Sequence, residues 1–165
     1  MSDQDRLEAV RGYGVLDSPN EPEFDAIVRE AAAALDVPIA LISLLDEHRQ
    51  WFKAKVGLTV SETPLAISFC THAVQGAGVF EVRNAANDPR FSGNPLVTGN
   101  PNIRYYAGAP LKTSSGARIG TLCVIDNQPR LGLSEEQKQQ LTTLADRVIS
   151  TLEARGRRGA PIHLA

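Results

Sequence analysis

The sequence predicts an α+β domain built on one sheet that is covered on both faces, and three observations predict it. Near each end of the chain, apolar residues recur at helical spacing: Phe24, Ile27, Val28, Ala31 and Leu35 in one stretch, and Leu141, Leu144, Ala145, Val148, Ile149 and Leu152 in the other. Between them, residues 39–45 and 117–126 are apolar at successive positions, as strands buried on two faces are. Ahead of the last two strands lies "NAANDPRFSGNPLVTGNPN", residues 84–102, too rich in Asn, Pro and Gly for a strand or a long helix. The order helix, strand, strand, short helix, strand, long loop, strand, strand, helix places the long helices on one face, with the short helix and loop on the other.

Each element has a local reason. Leu7 and Val10 predict a short opening helix that Gly12 and Gly14 stop. Ser18-Pro19-Asn20-Glu21 reads as a capping box for the second helix, with Asn20 and Glu23 as an equally good start, and Asp36 and Pro38 end it. After a turn at Asp46, Glu47 and His48, residues 50–56 set Phe52, Ala54 and Val56 on a core face and Trp51, Lys53 and Lys55 on a mixed one. Residues 68–75 hold about two helical turns, and residues 79–82 a short strand. Phe91, Leu96 and Val97 anchor the long loop, which predicts order rather than a loose surface excursion. Residues 103–112 and 117–126 form a hairpin, with Tyr105, Ala107, Ala109 and Leu111 on one face of its first strand. On the second strand Ile119, Thr121, Cys123 and Ile125 alternate with Gly120, Leu122 and Val124. Ser134 and Gln137 open the last helix as a capping box, and it runs to Arg155. The chain divides into a helical lead over 1–17, one domain over 18–155 and a flexible tail over 156–165.

Composition removes several function classes. A chain of 165 residues, 42% hydrophobic and 22% charged, has the profile of a single globular core. Seventeen basic against nineteen acidic residues, net charge −2, do not point to nucleic acid. The longest apolar run, residues 38–45, is far short of the about 20 residues of a membrane span. The polar, acidic start lacks the pattern of a secretory signal, so the expectation is a cytoplasmic protein with no membrane contact. In that compartment Cys70 and Cys123 are expected as free thiols.

Six segments, "FDAIVREAA", "PIALISLLDEHRQWFKAKVGL", "ETPLAISFCTHAV", "DPRFSGNPLV", "IRYYAGAPL" and "IGTLCVIDNQPR", are similar in this order to the GAF domains of bacterial signalling proteins. The likeness is strongest to those attached to histidine kinases and diguanylate cyclases, and it covers residues 7–155. It implies a central antiparallel sheet with terminal helices on one face, through which such domains often dimerise, and a pocket under loops on the other. As function it implies a sensory domain that binds a small molecule noncovalently, works as a homodimer and addresses a signalling partner. The identity of the ligand, and of any cofactor, stays open.

"SFCTHAVQG", residues 68–76, carries the sharpest chemical question, because a thiol and an imidazole stand two positions apart. On a helix Cys70 and His72 are separated by about 200°, so they cannot share one ion. The other histidines, His48 and His163, fall in a turn and in the tail, and no metal is expected. Thr71 between the pair departs from the pattern of GAF domains that tether a tetrapyrrole, and the signature of the cyclic-nucleotide-binding subgroup is missing. A subgroup that reduces free methionine sulfoxide needs an exposed nucleophilic cysteine and a resolving one. Cys123 reads as a core thiol, so no catalytic residue is assigned. The reductase stands as an alternative, beside a ligand-free dimerisation module. Phe91 and Tyr105 are the expected apolar wall of the pocket, with Cys70, His72, Asn94, Arg104 and Trp51 as further ligand contacts. The stripe from Leu141 to Leu152 is the candidate dimer surface unless the sheet consumes it.

Overall fold

The structure is a computed structural model and describes residues 2–158. Its helices are α1 (Asp3–Gly12), α2 (Pro22–Leu35), α3 (Cys70–Ala73), α4 (Pro95–Thr98) and α5 (Glu135–Arg158). Its strands are β1 (Ile39–Leu45), β2 (Arg49–Val56), β3 (Glu62–Pro64), β4 (Phe80–Val82), β5 (Tyr105–Lys112) and β6 (Arg118–Asp126). The strands form one sheet in the order β3-β2-β1-β6-β5-β4, and every neighbouring pair is antiparallel. The architecture is the expected α+β one. β3, three residues ending in proline, has too little alternation to be read from sequence.

The sheet face under α2 and α5 is the larger core. Phe24, Ile27 and Ala31 of α2 and Leu141, Val148 and Leu152 of α5 pack with Ala40, Ile42 and Leu44 of β1 and with Ala107, Leu111, Leu122 and Val124. The apolar stripe of α5 is therefore spent inside the domain, and the dimer surface expected there does not exist as an exposed face. The helix opens as its capping box predicts: Gln137 N donates to Ser134 Oγ at 3.1 Å and Ser134 N to Gln137 Oε1 at 2.9 Å. It continues through Arg158, past the expected end at Arg155; the remainder of the expected tail, 159–165, lies outside the described residues. Gly120 is paired with Leu44 where β6 runs beside β1, and a Cβ there would lie 1.8 Å from the Ser43 carbonyl oxygen, so no other residue lets the strands approach this closely.

Two expectations fail for one reason, a buried lysine. The register of β1 against β2 shifts between Ile42, opposite Ala54, and Ser43, opposite Phe52, which leaves Lys53 as the extra residue of a bulge. Beyond this bulge the alternation reverses, so Ala54 joins Trp51 in the helix-side core while Phe52 faces the other way. Lys53, with a side chain 0% exposed, donates to Ser18 Oγ at 2.7 Å, to the Pro19 carbonyl at 2.6 Å and to Glu21 Oε2 at 2.6 Å. Ser18 and Glu21 are thus ligands of an ammonium rather than a capping box. α2 starts instead at Pro22, with Glu21 as an N-cap that makes no side-chain cap bond. A buried ammonium needs several acceptors, and that need outweighs about 1 kcal/mol of capping.

A second irregularity, between Leu111 and Lys112 against β6, turns Ile119 to the helix side with Leu122 and Val124, away from Cys123 and Ile125. The long segment 84–102 is packed, as its anchors predict: Phe91 is 1% and Val97 2% exposed. It contains a turn of 3-10 helix at 85–87 as well as α4.

Candidate functional site

On the face away from the long helices the sheet does not fill its own space. A cavity of about 140 Å³ opens between the strands and the segments that cross them. Strand residues form one side: Ile39 and Leu41 of β1, Phe52 of β2, Tyr106 of β5, Cys123 and Ile125 of β6. Phe69, Leu96 and Ile103 close the opposite side. Thr59, Val60 and Asn100, all exposed, mark the mouth between the loop after β2 and the end of the long loop.

The cavity has few polar groups, and the buried ones are already bonded to neighbouring side chains. Gln50 Nε2 donates to Thr63 Oγ1 at 2.8 Å, and Ser68 Oγ donates to Gln50 Oε1 at 3.1 Å. Tyr106 Oη lies 3.3 Å from Thr121 Oγ1, and Cys123 Sγ lies 3.9 Å from Ser43 Oγ. Among the described residues no buried side-chain nitrogen or oxygen lacks a partner.

None of the seven sequence-predicted contacts lines this cavity. Tyr105 is on the wrong side of β5: its ring is in the helix-side core, its Oη donates to Glu81 Oε2 at 2.6 Å, and Arg130 lies over the ring at 5.8 Å. Its neighbour Tyr106 faces the cavity, as strand alternation requires. Trp51 is likewise 7% exposed in the helix-side core. Phe91 stacks on Phe69 with ring centroids 4.1 Å apart, and His72 meets Phe91 edge-on at 4.8 Å. Arg90, held by Asp88 at 2.7 Å, covers Phe80 and Phe91 at 5.1 and 5.2 Å. Burial, then the nearby guanidinium of Arg90, lowers the His72 pKa, so this imidazole is part of an aromatic stack and neutral. Asn94 Oδ1 accepts from Leu96 N at 2.8 Å and its Nδ2 donates to the Ile67 carbonyl at 3.0 Å, while Arg104 Nη1 donates to the Val97 carbonyl at 2.9 Å. Asn94 and Arg104 hold the long loop in shape and do not contact the cavity.

The thiols have no exposed surface to react from. Cys70 is 0% exposed in a small cluster with Leu45 and Val74, and Cys123 is 1% exposed. Burial pushes both thiols up, Cys123 to about 11, opposite to what a nucleophilic thiolate needs. Cys70 and His72 also point into different surroundings, the one beside Leu45 and the other beside Phe91.

The family model for the GAF domain matches residues 20–152, most of the described chain. The chain belongs to the GAF domain family. Over 147 residues it is 46% identical to a cyclic di-GMP phosphodiesterase of Pseudomonas aeruginosa, a match that covers 89% of this chain and 25% of that protein. This GAF domain thus spans about a quarter of the curated relative it matches. The GAF domain of an Acinetobacter phosphoenolpyruvate-protein phosphotransferase superposes with a TM-score of 0.68 at 24% identity, over 98% of this chain and 99% of that one. A free methionine-R-sulfoxide reductase of Neisseria meningitidis superposes with a TM-score of 0.65 at 17% identity, over 96% and 95% of the two chains, and at that identity the likeness is one of fold. Among the described residues of this GAF domain, no helix is long and apolar enough to cross a membrane.

Of the cavity residues missed from sequence, Leu41 and Ile125 carry a signal, since they belong to the two strands that are apolar on both faces; Phe52 and Tyr106 carry none, because a bulge and the strand register decide which way they face.

Proposed function

We propose that this GAF domain is a noncatalytic sensory module: a small molecule occupies the cavity, and its presence is passed through β2 to the terminal helices. The observation that carries the reading is the bulge at Lys53, which joins the two sheet faces within two residues. Phe52 forms part of the cavity, and its backbone N–H donates at 3.0 Å to the carbonyl of Ser61, next to the mouth. Lys53 reaches through to Glu21, and Glu21 Oε2 in turn accepts from Arg155 Nε on α5 at 2.8 Å. Displacing Phe52 loads an ion network anchored at the start of α2 and the end of α5, where a population shift of helix packing begins. The match to part of a cyclic di-GMP phosphodiesterase supports an output in enzymes of cyclic dinucleotide signalling. With the α5 stripe buried, a homodimer rests on the outer face of α2 and α5, where Glu30, Thr143 and Arg147 are exposed; sedimentation velocity reads this directly, and a monomer at high micromolar concentration removes it.

Hydrogen exchange under xenon pressure tests the transmission. Filling the cavity is expected to change protection at residues 18–24 and 148–155 in the wild type, and not in Lys53→Met, although xenon still enters that variant. Unchanged exchange in the wild type with xenon bound overturns the reading. The mutual satisfaction of Gln50, Thr63 and Ser68 favours a second reading, a ligand-free interaction module, and a cavity that admits no probe is its signature.

A further inference from the structure

Resting on the sensory reading, we infer that the ligand is a small, neutral, hydrocarbon-like molecule of about the size of benzene or toluene, and that ionised ligands, cyclic nucleotides among them, are excluded. Size is the first argument. The cavity measures about 140 Å³, and an apolar protein cavity of roughly 150 Å³ stays dry and takes up benzene or xenon. A nucleotide cannot enter without displacing the packed segments that cover the sheet.

Charge is the second. Among the described lining residues there is no Lys, Arg, His, Asp or Glu. The ionisable groups present, Tyr106 and Cys123, are kept neutral by burial, Cys123 with its pKa up at about 11. Neither lysine of β2 lines it: Lys53 is on the opposite face with its acceptors already in place, and Lys55, paired with Leu41 on the cavity's own face, is outside the lining. An anion or cation brought into this cavity would lose its hydration with no counter-charge to meet it, a penalty that keeps unpaired charges out of protein interiors.

Hydrogen bonding is the third, and it separates a hydrocarbon from a merely uncharged polar ligand. A site built to read a polar group leaves its own donor or acceptor unpaired until the ligand arrives. Here the buried Gln50 is already bonded to Thr63 and Ser68, and the buried Tyr106 hydroxyl to Thr121. Only the exposed Thr59 and Asn100 at the mouth have room to meet a single polar substituent, and the exposed apolar Val60 stands between solvent and the interior.

The test is a comparison of toluene with benzoate, which share a ring and differ in charge, with cyclic GMP as a third probe. Methyl NMR of Leu41, Ile39 and Ile125 reads occupancy. Toluene is expected to shift these methyls and to bind at least 100-fold more tightly than benzoate. Leu41→Phe and, independently, Ile125→Phe are expected to abolish the toluene shifts while the rest of the spectrum stays folded. Shifts of the same methyls by benzoate or cyclic GMP, at an affinity equal to or above that of toluene, overturn the ligand class and leave the sensory reading standing. Failure of toluene and xenon alike to enter overturns both.

Discussion

β1 carries the contrast between the two faces of the sheet in adjacent residues. Ile42, 0% exposed, is packed among the side chains of α2 and α5, whereas Leu41, 3% exposed, is just as hidden from water and borders a void. The helix side is full and holds the buried Lys53 ammonium in a complete set of acceptors. The loop side is partly empty, and no charged side chain lines its cavity. Equal burial therefore does not mean equal packing: one face is filled by side chains, and the other borders a cavity.

The sharpest way to break the contrast is to strip the counter-ion from the helix side. Glu21→Ala leaves the Lys53 ammonium 0% exposed with only Ser18 and the Pro19 carbonyl, and is expected to lose about 3–5 kcal/mol in urea unfolding. Lys53→Met, which removes the charge instead of isolating it, is expected to cost much less. Glu21 also predicts the acid limb of stability. Burial raises its pKa, but the hydrogen bonds from Lys53 and Arg155 outweigh it and hold the carboxyl below the ordinary glutamate value. Its contribution is complete above about pH 4.3 and is lost as the pH falls through the lower folded value, so Glu21→Gln should flatten the loss of stability in that range.

Overpacking tests the contrast directly. Ile42→Phe is expected to cost about 1–3 kcal/mol because the helix side has no room. Leu41→Phe adds the same ring beside a void, and its change in melting temperature should be a fraction of the other. Equal losses would show that the cavity wall is as rigid as the core. The smallest expected effect concerns the cover of the cavity. Asn94→Ala removes the N-cap of α4 and the tie to Ile67, for about 1 kcal/mol, whereas Asn94→Asp keeps the cap and loses the tie, and should fall between the two.

Much of the fold was legible in the residues, because helical spacing at both ends and doubly apolar strands leave few arrangements. The capping box of α5 and the packed loop anchored by Phe91 and Val97 were readable for the same reason: local chemistry decided them. The site was far less legible. Which of Tyr105 and Tyr106 faces the cavity depends on strand register, which is set by pairing with β6 and not by the dipeptide. Trp51 was misplaced for a similar reason, since the bulge at Lys53 is driven by acceptors more than thirty residues away in the chain. Polar residues of the long loop attract attention as ligand contacts, yet Asn94 and Arg104 are occupied by the loop's own backbone.

The two ends of the sheet bear on how copies of the domain can meet. Both outermost strands, β3 and β4, are three residues long, and β3 carries Glu62 and ends in Pro64. A short edge with an acidic residue and a proline gives an incoming chain almost no ladder to extend, which is how soluble β proteins guard against strand exchange and fibril growth. Any contact of this domain with another chain is thereby steered away from sheet continuation and left to side-chain surfaces.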